Sequence, residues 1–239
     1  MPRVTPPRTC GPTLPLKGRV NPRPSATAYR LLPTAYSLFP IPYSPQNGAT
    51  MTYALITPPA AEPLTLAEVK AHLRLDGADE DGLLADLVTV AREHLERQTG
   101  LMLITQTHRL YRDDWPVGGV IQIDRGPVQR IENVIVYDGD GNPLHVSLQD
   151  HLLDGVSRPA RLWLRDPPAP GRALNGIEID FRAGFGDTGA DVPDTLKRAM
   201  LMHVALMFSY RGAVAPADQP AAIPAGYDRL VAPFARRRL

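Results

Sequence analysis

Three short stretches carry residue types that could do chemistry. Asp138-Gly139-Asp140-Gly141-Asn142 puts oxygen ligands at alternate positions, as a hard cation such as calcium requires. The match ends there, because Pro143 stands where the turn glycine of such a loop belongs and Gln149 replaces its bidentate glutamate. A hairpin turn explains the stretch better, since Asp, Asn and Gly favour tight turns. His151 and Asp154 are spaced for a catalytic dyad, and together with Asp140 they define one alternative, a small metal-dependent hydrolase. That alternative lacks a nucleophile: no serine elbow is present, and the single cysteine, Cys10, lies in a Pro-rich leader. Gly184-Phe185-Gly186-Asp187-Thr188-Gly189 precedes a helix but lacks the Lys-Ser/Thr ending of a phosphate loop, and Asp187 and Asp191 would repel an anion there. It reads as a flexible connection between sheet and helix. The histidines are His72, His94, His108, His145, His151 and His203, and no two have the i,i+4 spacing of a helical metal pair. His203 reads as a core or interface residue. No catalytic constellation, cofactor site or metal site is expected.

The elements that would position such residues divide sharply by composition. Residues 1–50 hold no Asp or Glu, six Lys or Arg and eleven of the 26 prolines, which blocks helix and ladder hydrogen bonding and predicts disorder. This leader is a solvated tail, a basic arm, or sequence upstream of a true start at Met51. Residues 51–239 carry 20 basic against 25 acidic residues. That mildly acidic balance argues against a broad nucleic-acid surface. A nucleic-acid-binding module using residues 1–50 and Arg236, Arg237 and Arg238 is a further alternative, and it predicts steep salt dependence. No hydrophobic run reaches the length needed to cross a membrane.

Leu64-Thr65-Leu66-Ala67-Glu68-Val69 is a capping box with a hydrophobic staple, opening a short helix that ends near Asp76-Gly77. A second helix starts at Asp79-Glu80-Asp81 and runs to Thr99, with Gly100 as its stop. Leu84, Leu87, Ala91 and Leu95 form its buried stripe, while Arg92–Glu96 and Glu93–Arg97 form i,i+4 pairs on its wet side. From Leu103 to Arg182 the period becomes two. Strands are expected near residues 104–112, Val120–Ile123, Val128–Tyr137, Leu144–Leu148, Arg161–Arg165 and Gly176–Arg182, the last two as a pair. Val192 to Gly212 is a long apolar helix with Pro193 in its first turn and a stripe of Leu196, Met200, His203, Met207 and Tyr210. The fold class is α+β: an N-terminal helix pair, a central, mostly antiparallel sheet, this C-terminal helix and an extended tail. The expected division is a leader over 1–50, a domain over 51–212 and an arm over 213–239. In the arm, Tyr227, Leu230, Val231 and Phe234 lead into three arginines, which suits docking in a partner groove.

The order of these parts resembles the head–tail connector (adaptor) proteins of long-tailed phages, prophages and gene transfer agents. The residues that carry the likeness are Leu64 to Leu75, the acidic helix start, Gln98-Thr99-Gly100, Trp115-Pro116, and Val192-Pro193 leading to Tyr210-Arg211-Gly212. The likeness implies a structural protein of the virion's head–tail junction, present in the host cytoplasm before assembly. Such connectors form a cyclic ring of about twelve copies between the portal protein and tail-side stopper components, with DNA as passing cargo. It implies no cofactor and no membrane. The residues assigned to the portal or ring interface are Tyr210, Arg211, Tyr227, Leu230, Phe234, Arg236, Arg237 and Arg238. Asp79 and Asp81 are assigned a contact with basic residues of a neighbouring copy.

Overall fold

The computed structural model describes residues 52–210 and 223–235, all within the unit Pro45–Leu239. The leader, residues 211–222 and residues 236–239 lie outside the described residues. In chain order the elements are β1 (Thr52–Thr57), α1 (Leu66–Leu73), α2 (Asp81–Thr99), β2 (Gln106–Arg112), β3 (Val120–Ile123), β4 (Val128–Tyr137), β5 (Pro143–His145), β6 (Leu152–Asp154), β7 (Ala160–Trp163), β8 (Ile177–Ala183), α3 (Asp194–Ser209) and α4 (Tyr227–Val231). Among the described residues no helix is long and apolar enough to cross a membrane.

The helix starts follow local chemistry. Thr65 accepts from the Glu68 amide at 3.2 Å while Glu68 accepts from the Thr65 amide at 2.7 Å, completing the capping box. Leu64 and Val69 are both buried in the same core. Helix α1 stops at Leu73, earlier than Gly77, because Arg74 takes the left-handed conformation (φ 56°). Lys70 then closes the corner, donating to the Gly77 carbonyl and pairing with Asp81. Asp81 is therefore engaged within its own chain. Gly100, at φ 74°, ends α2 as its sequence predicts.

The strands form two sheets where one was expected. The larger has the order β1-β2-β8-β4-β5 and the smaller β3-β7-β6, with every strand pair antiparallel. Strands β7 and β8 do not pair with each other: β8 is central in the large sheet and β7 central in the small one. The reason is burial, since Leu162 and Leu164 point inward with Ile121 and Ile123, in one core with Ile177, Ile179 and Phe181 of the large sheet. On the other face of the large sheet, Arg109 grips Asp180 through two bonds of 2.6 and 2.8 Å and also pairs with Glu178. The turn at 138–142 is a hairpin between β4 and β5, where the Asp138 carboxylate accepts from the amides of Asp140 and Asn142.

A second core lies among the helices, where Leu84, Val88, Ala91 and Leu95 of α2 meet Leu196, Met200, Val204 and Met207 of α3. Helix α3 is neither the longest nor apolar all round. It has 16 residues against 19 in α2, it exposes Asp194, Arg198 and Ser209, and Pro193 stands just outside it as the N-cap. The connection before it is fitted where looseness was expected. A side chain on Gly184 (φ 149°) would strike the Thr105 backbone, and one on Gly189 would strike the Pro63 carbonyl.

The two cores meet at Leu101–Ile104. Leu101, Leu103 and Ile104 face the helical core and Met102 the sheet core. This extended run bonds on both sides: Met102 N–H donates to the Gly126 carbonyl and Thr105 N–H to the Gly186 carbonyl, each at 2.8 Å. Its register is set by Glu96, whose Oε1 accepts from the Leu103 amide (2.8 Å) and Gln106 Nε2 (3.0 Å) and whose Oε2 accepts from Arg92 (3.1 Å). Arg92 in turn donates to Glu62 at 2.8 Å. Arg92 and Glu96 are 7% and 6% exposed, so the expected wet pair is a buried node. Burial pushes the Glu96 carboxyl up, opposed by the Leu103 amide and Arg92. Gln106 Oε1 can only accept, so the His108 ring, 3.1 Å away, donates from Nε2 and extends the chain of bonds into the sheet.

Two predictions follow from this node. Glu96→Ala leaves the Arg92 guanidinium half-paired and the Leu103 amide unbonded, and we expect a loss of about 3 kcal/mol in urea unfolding with an unchanged denaturant slope. His108 is held down to about 4, chiefly by burial and then by Arg125. A depressed histidine contributes its stability above the ordinary value near 6.5 and loses it as pH falls towards 4, at most about 3 kcal/mol. His108→Gln should flatten the fall in melting temperature between pH 6.5 and 5, and an unchanged slope would refute the assignment.

Candidate assembly surface

The chemistry-bearing residues of the sequence do not converge. Asp154 binds Ser157 Oγ at 2.6 Å and Arg161 Nη2 at 2.6 Å, and Ser157 and then Arg161 hold its carboxyl far below the usual range. His151 turns Nδ1 to the Leu148 carbonyl at 2.6 Å, and Asp140 sits exposed in the hairpin turn. The dyad is not formed. Among the described residues no group of three or more His, Cys, Asp or Glu is placed to hold a metal ion.

The candidate interface residues separate into two kinds. Gly226, left-handed at φ 93°, lets the chain turn into α4, which lays Tyr227 and Val231 into the helical core. Tyr227 is fully buried and meets two histidine rings edge-on, His94 of α2 at 6.1 Å and His203 of α3 at 5.8 Å between centroids. Burial pushes its phenol up to about 12, and among the described residues its hydroxyl has no hydrogen-bond partner. Burial likewise holds His94 below its ordinary value. Leu230 and Phe234 are half-buried against the same core. The Phe234 carbonyl accepts from Arg158 at 2.8 Å, and that guanidinium lies 5.9 Å from the ring centroid. Tyr210 caps α3 and is exposed. Arg211, Arg236, Arg237 and Arg238 lie outside the described residues.

The apolar half of the tail is thus part of the folded domain, not an extended arm. Sequence reasoning missed Arg158 and His94 as its receivers, because neither residue lies near the tail along the chain. The last described residues, Pro233 and Ala235, line a cleft of about 620 Å³ together with Gly100, Asp124 and Ser157. Among the described residues the chemistry-bearing side chains are engaged locally and form no joint site.

This fold is similar to that of known proteins. The model of the phage gp6-like head–tail connector protein family matches residues 63–140, from the start of the helix pair to the β4–β5 hairpin. Head–tail connectors are structural, non-enzymatic proteins. Beyond the segment that this family model matches, a longer likeness is found among solved structures. A chain in the virion of a native gene transfer agent (GTA) particle is 26% identical, with a TM-score of 0.66, covering 79% of this chain and 97% of that one. A chain in the neck of an empty GTA particle, computed with C6 symmetry, is 25% identical with a TM-score of 0.65 over 79% and 97%. A chain in the neck of a native GTA particle, computed with C12 symmetry, is 25% identical with a TM-score of 0.61 over 80% and 97%. No curated protein matches the chain.

The buried tail predicts a contrast. Tyr227→Ala should cost about 3 kcal/mol in thermal or urea unfolding by emptying the space between His94 and His203. Tyr227→Phe removes an unbonded hydroxyl and should be neutral, or stabilising by up to about 1 kcal/mol. Equal losses for both variants would contradict the packing described.

Proposed function

We propose that this chain is a structural head–tail connector seated in the neck of a GTA-like or phage-like particle. The observation that carries this reading is coverage: the likeness to GTA neck chains spans 97% of those chains and continues well past the family-matched segment. On this reading the chain repeats around an axis as a ring of about twelve copies, joins the portal protein to tail-side components, and lets DNA pass. The symmetric computation of the similar neck supports the ring. Tyr210, Leu230 and Phe234 supply apolar and aromatic surface, and Arg211 and Arg236–Arg238 follow closely along the chain.

The test is a particle-producing strain that lacks this chain. We expect heads and tails that do not join, and joining restored when the chain is supplied; joined, infectious particles without it would defeat the proposal. The tail divides the test further. Removing residues 236–239 spares Tyr227 and Val231, so the melting temperature should hold while portal binding in a pull-down is lost. Undiminished portal binding would remove the arginines from the interface.

A further inference from the structure

Helix α4 is seated more by packing than by hydrogen bonds to the rest of the chain. Tyr227 N–H donates to the Pro224 carbonyl, Leu230 N–H to the Gly226 carbonyl and Ala235 N–H to the Ala232 carbonyl, all within the same segment. Arg158, donating to the Phe234 carbonyl, ties that segment to the small sheet's side of the domain. What holds α4 down is the burial of Tyr227 and Val231, 0% and 1% exposed, with Leu230 and Phe234 packed beside them. The walls of the Tyr227 seat are two ionisable rings. His94 of α2 and His203 of α3 lie 5.0 Å apart between centroids, edge to face, and each meets the Tyr227 ring edge-on.

This seat suits neutral rings and not a charged one. Among the described residues the groups facing His94 are Arg97 on its own helix, His203 on α3, and Tyr227 and Asp228 on α4. His94 Nε2 is shut off from solvent and has no hydrogen-bond partner among the described residues. An imidazolium carries an N–H at both nitrogens, so charging His94 in place makes Nε2–H a buried donor without an acceptor. Burial, and then Arg97, hold His94 below its ordinary value, while the Asp228 carboxylate opposes them without reversing the sign. Lifting α4 takes the Tyr227 ring off His94 and returns the imidazole towards water. A histidine depressed in this way favours the seated state above its ordinary value of 6.5, and that advantage is lost as pH falls from there towards the depressed value.

We propose that the seat of α4 is a proton-sensitive latch: Tyr227 stays against the rings of His94 and His203 while His94 is neutral, and charging His94 frees residues 227–234 from the helical core. The inference concerns a single chain and stands apart from the connector reading. Two observations favour a latch over a purely structural pair of histidines. The ring that titrates touches the anchor of the element that moves, so its charge acts on the seat directly. The anchor's own hydroxyl makes no hydrogen bond among the described residues, so no polar contact of Tyr227 offsets the loss. Opening of this kind is local: α2 and α3 keep their shared contacts through Leu84, Val88, Ala91, Leu196, Met200 and Val204. Release brings Tyr227 and Val231 to the surface together and exchanges a closed apolar core for an exposed pair of anchors.

The test is amide hydrogen exchange of the full chain, read by mass spectrometry and expressed as protection relative to the unfolded rate at each pH. Between pH 7.5 and 5.5 the protection of residues 227–235 should fall at least about threefold, while that of β8 holds. His94→Gln and His94→Phe, which cannot titrate, should each abolish the fall, and His108→Gln should leave it in place. Constant protection of the tail in the unsubstituted chain, an equal fall in both His94 variants, or a parallel fall in β8 overturns the latch. If both His94 variants lose β8 protection at pH 7.5 and so fail to fold, the ring titration of His94 by NMR in the unsubstituted chain decides. A midpoint coinciding with the loss of tail protection supports the proposal, and a ring that charges while the tail stays protected overturns it.

Discussion

A carboxylate taken out of water must be surrounded by donors, and the arrangement of this molecule follows from how Glu96 meets that requirement. Its donors come from three places: Arg92 one turn earlier in α2, the backbone of Leu103 and the side chain of Gln106. Satisfying it places the end of the helical layer against the start of β2, and Glu62 extends the same network to the loop ahead of α1. Slipping the 101–106 segment by one residue would move the Leu103 amide off the carboxylate. It would also turn Met102 towards the helices and Leu103 towards the sheets. The polar node thus fixes which apolar residue enters which core, a specificity that hydrophobic burial alone does not supply.

The consequence for assembly is a division of labour. The sheet core and the helical core are each closed on their inner sides, and the surfaces left over are distinct in kind. The large sheet presents a charged face held by Arg109, Glu178 and Asp180, and the small sheet sets Val120, Trp163 and Leu152 in one row across its strands. Nothing in this set resembles a pocket organised around a reacting atom. Surfaces of this kind suit the connector role proposed above.

Much of this was legible in the sequence where the signal is local. The Thr65–Glu68 capping box, the Gly100 stop, the Asp138–Asn142 hairpin and the α3 stripe from Leu196 to Met207 all depend on residues within a turn or two of each other and stand as read, whereas Tyr210, the last residue assigned to that stripe, caps the helix and is exposed. The failures share one cause, that burial by distant chain is invisible to local pattern. Arg92 and Glu96 have the spacing of a solvated pair, and only Glu62, Leu103 and Gln106 reveal them as buried. Strands β7 and β8 look like a hairpin until the Pro- and Gly-rich loop between them carries the chain from one sheet to the other. Tyr227 has the composition of a docking anchor, and its receivers His94 and His203 lie far away in sequence.

The run from Gly100 to Thr105 has one more property. Its backbone is stitched on one flank to Gly126 and on the other to Gly186, through bonds that lie across the direction of the chain. If the helical layer were tugged along that run while the sheets were held, the stitches would be loaded side by side in shear and would have to give way together. A zipper opens bond by bond; this seam does not. In a joint that carries tension when tail and head are pulled apart, mechanical toughness would reside in those few residues and not in either core.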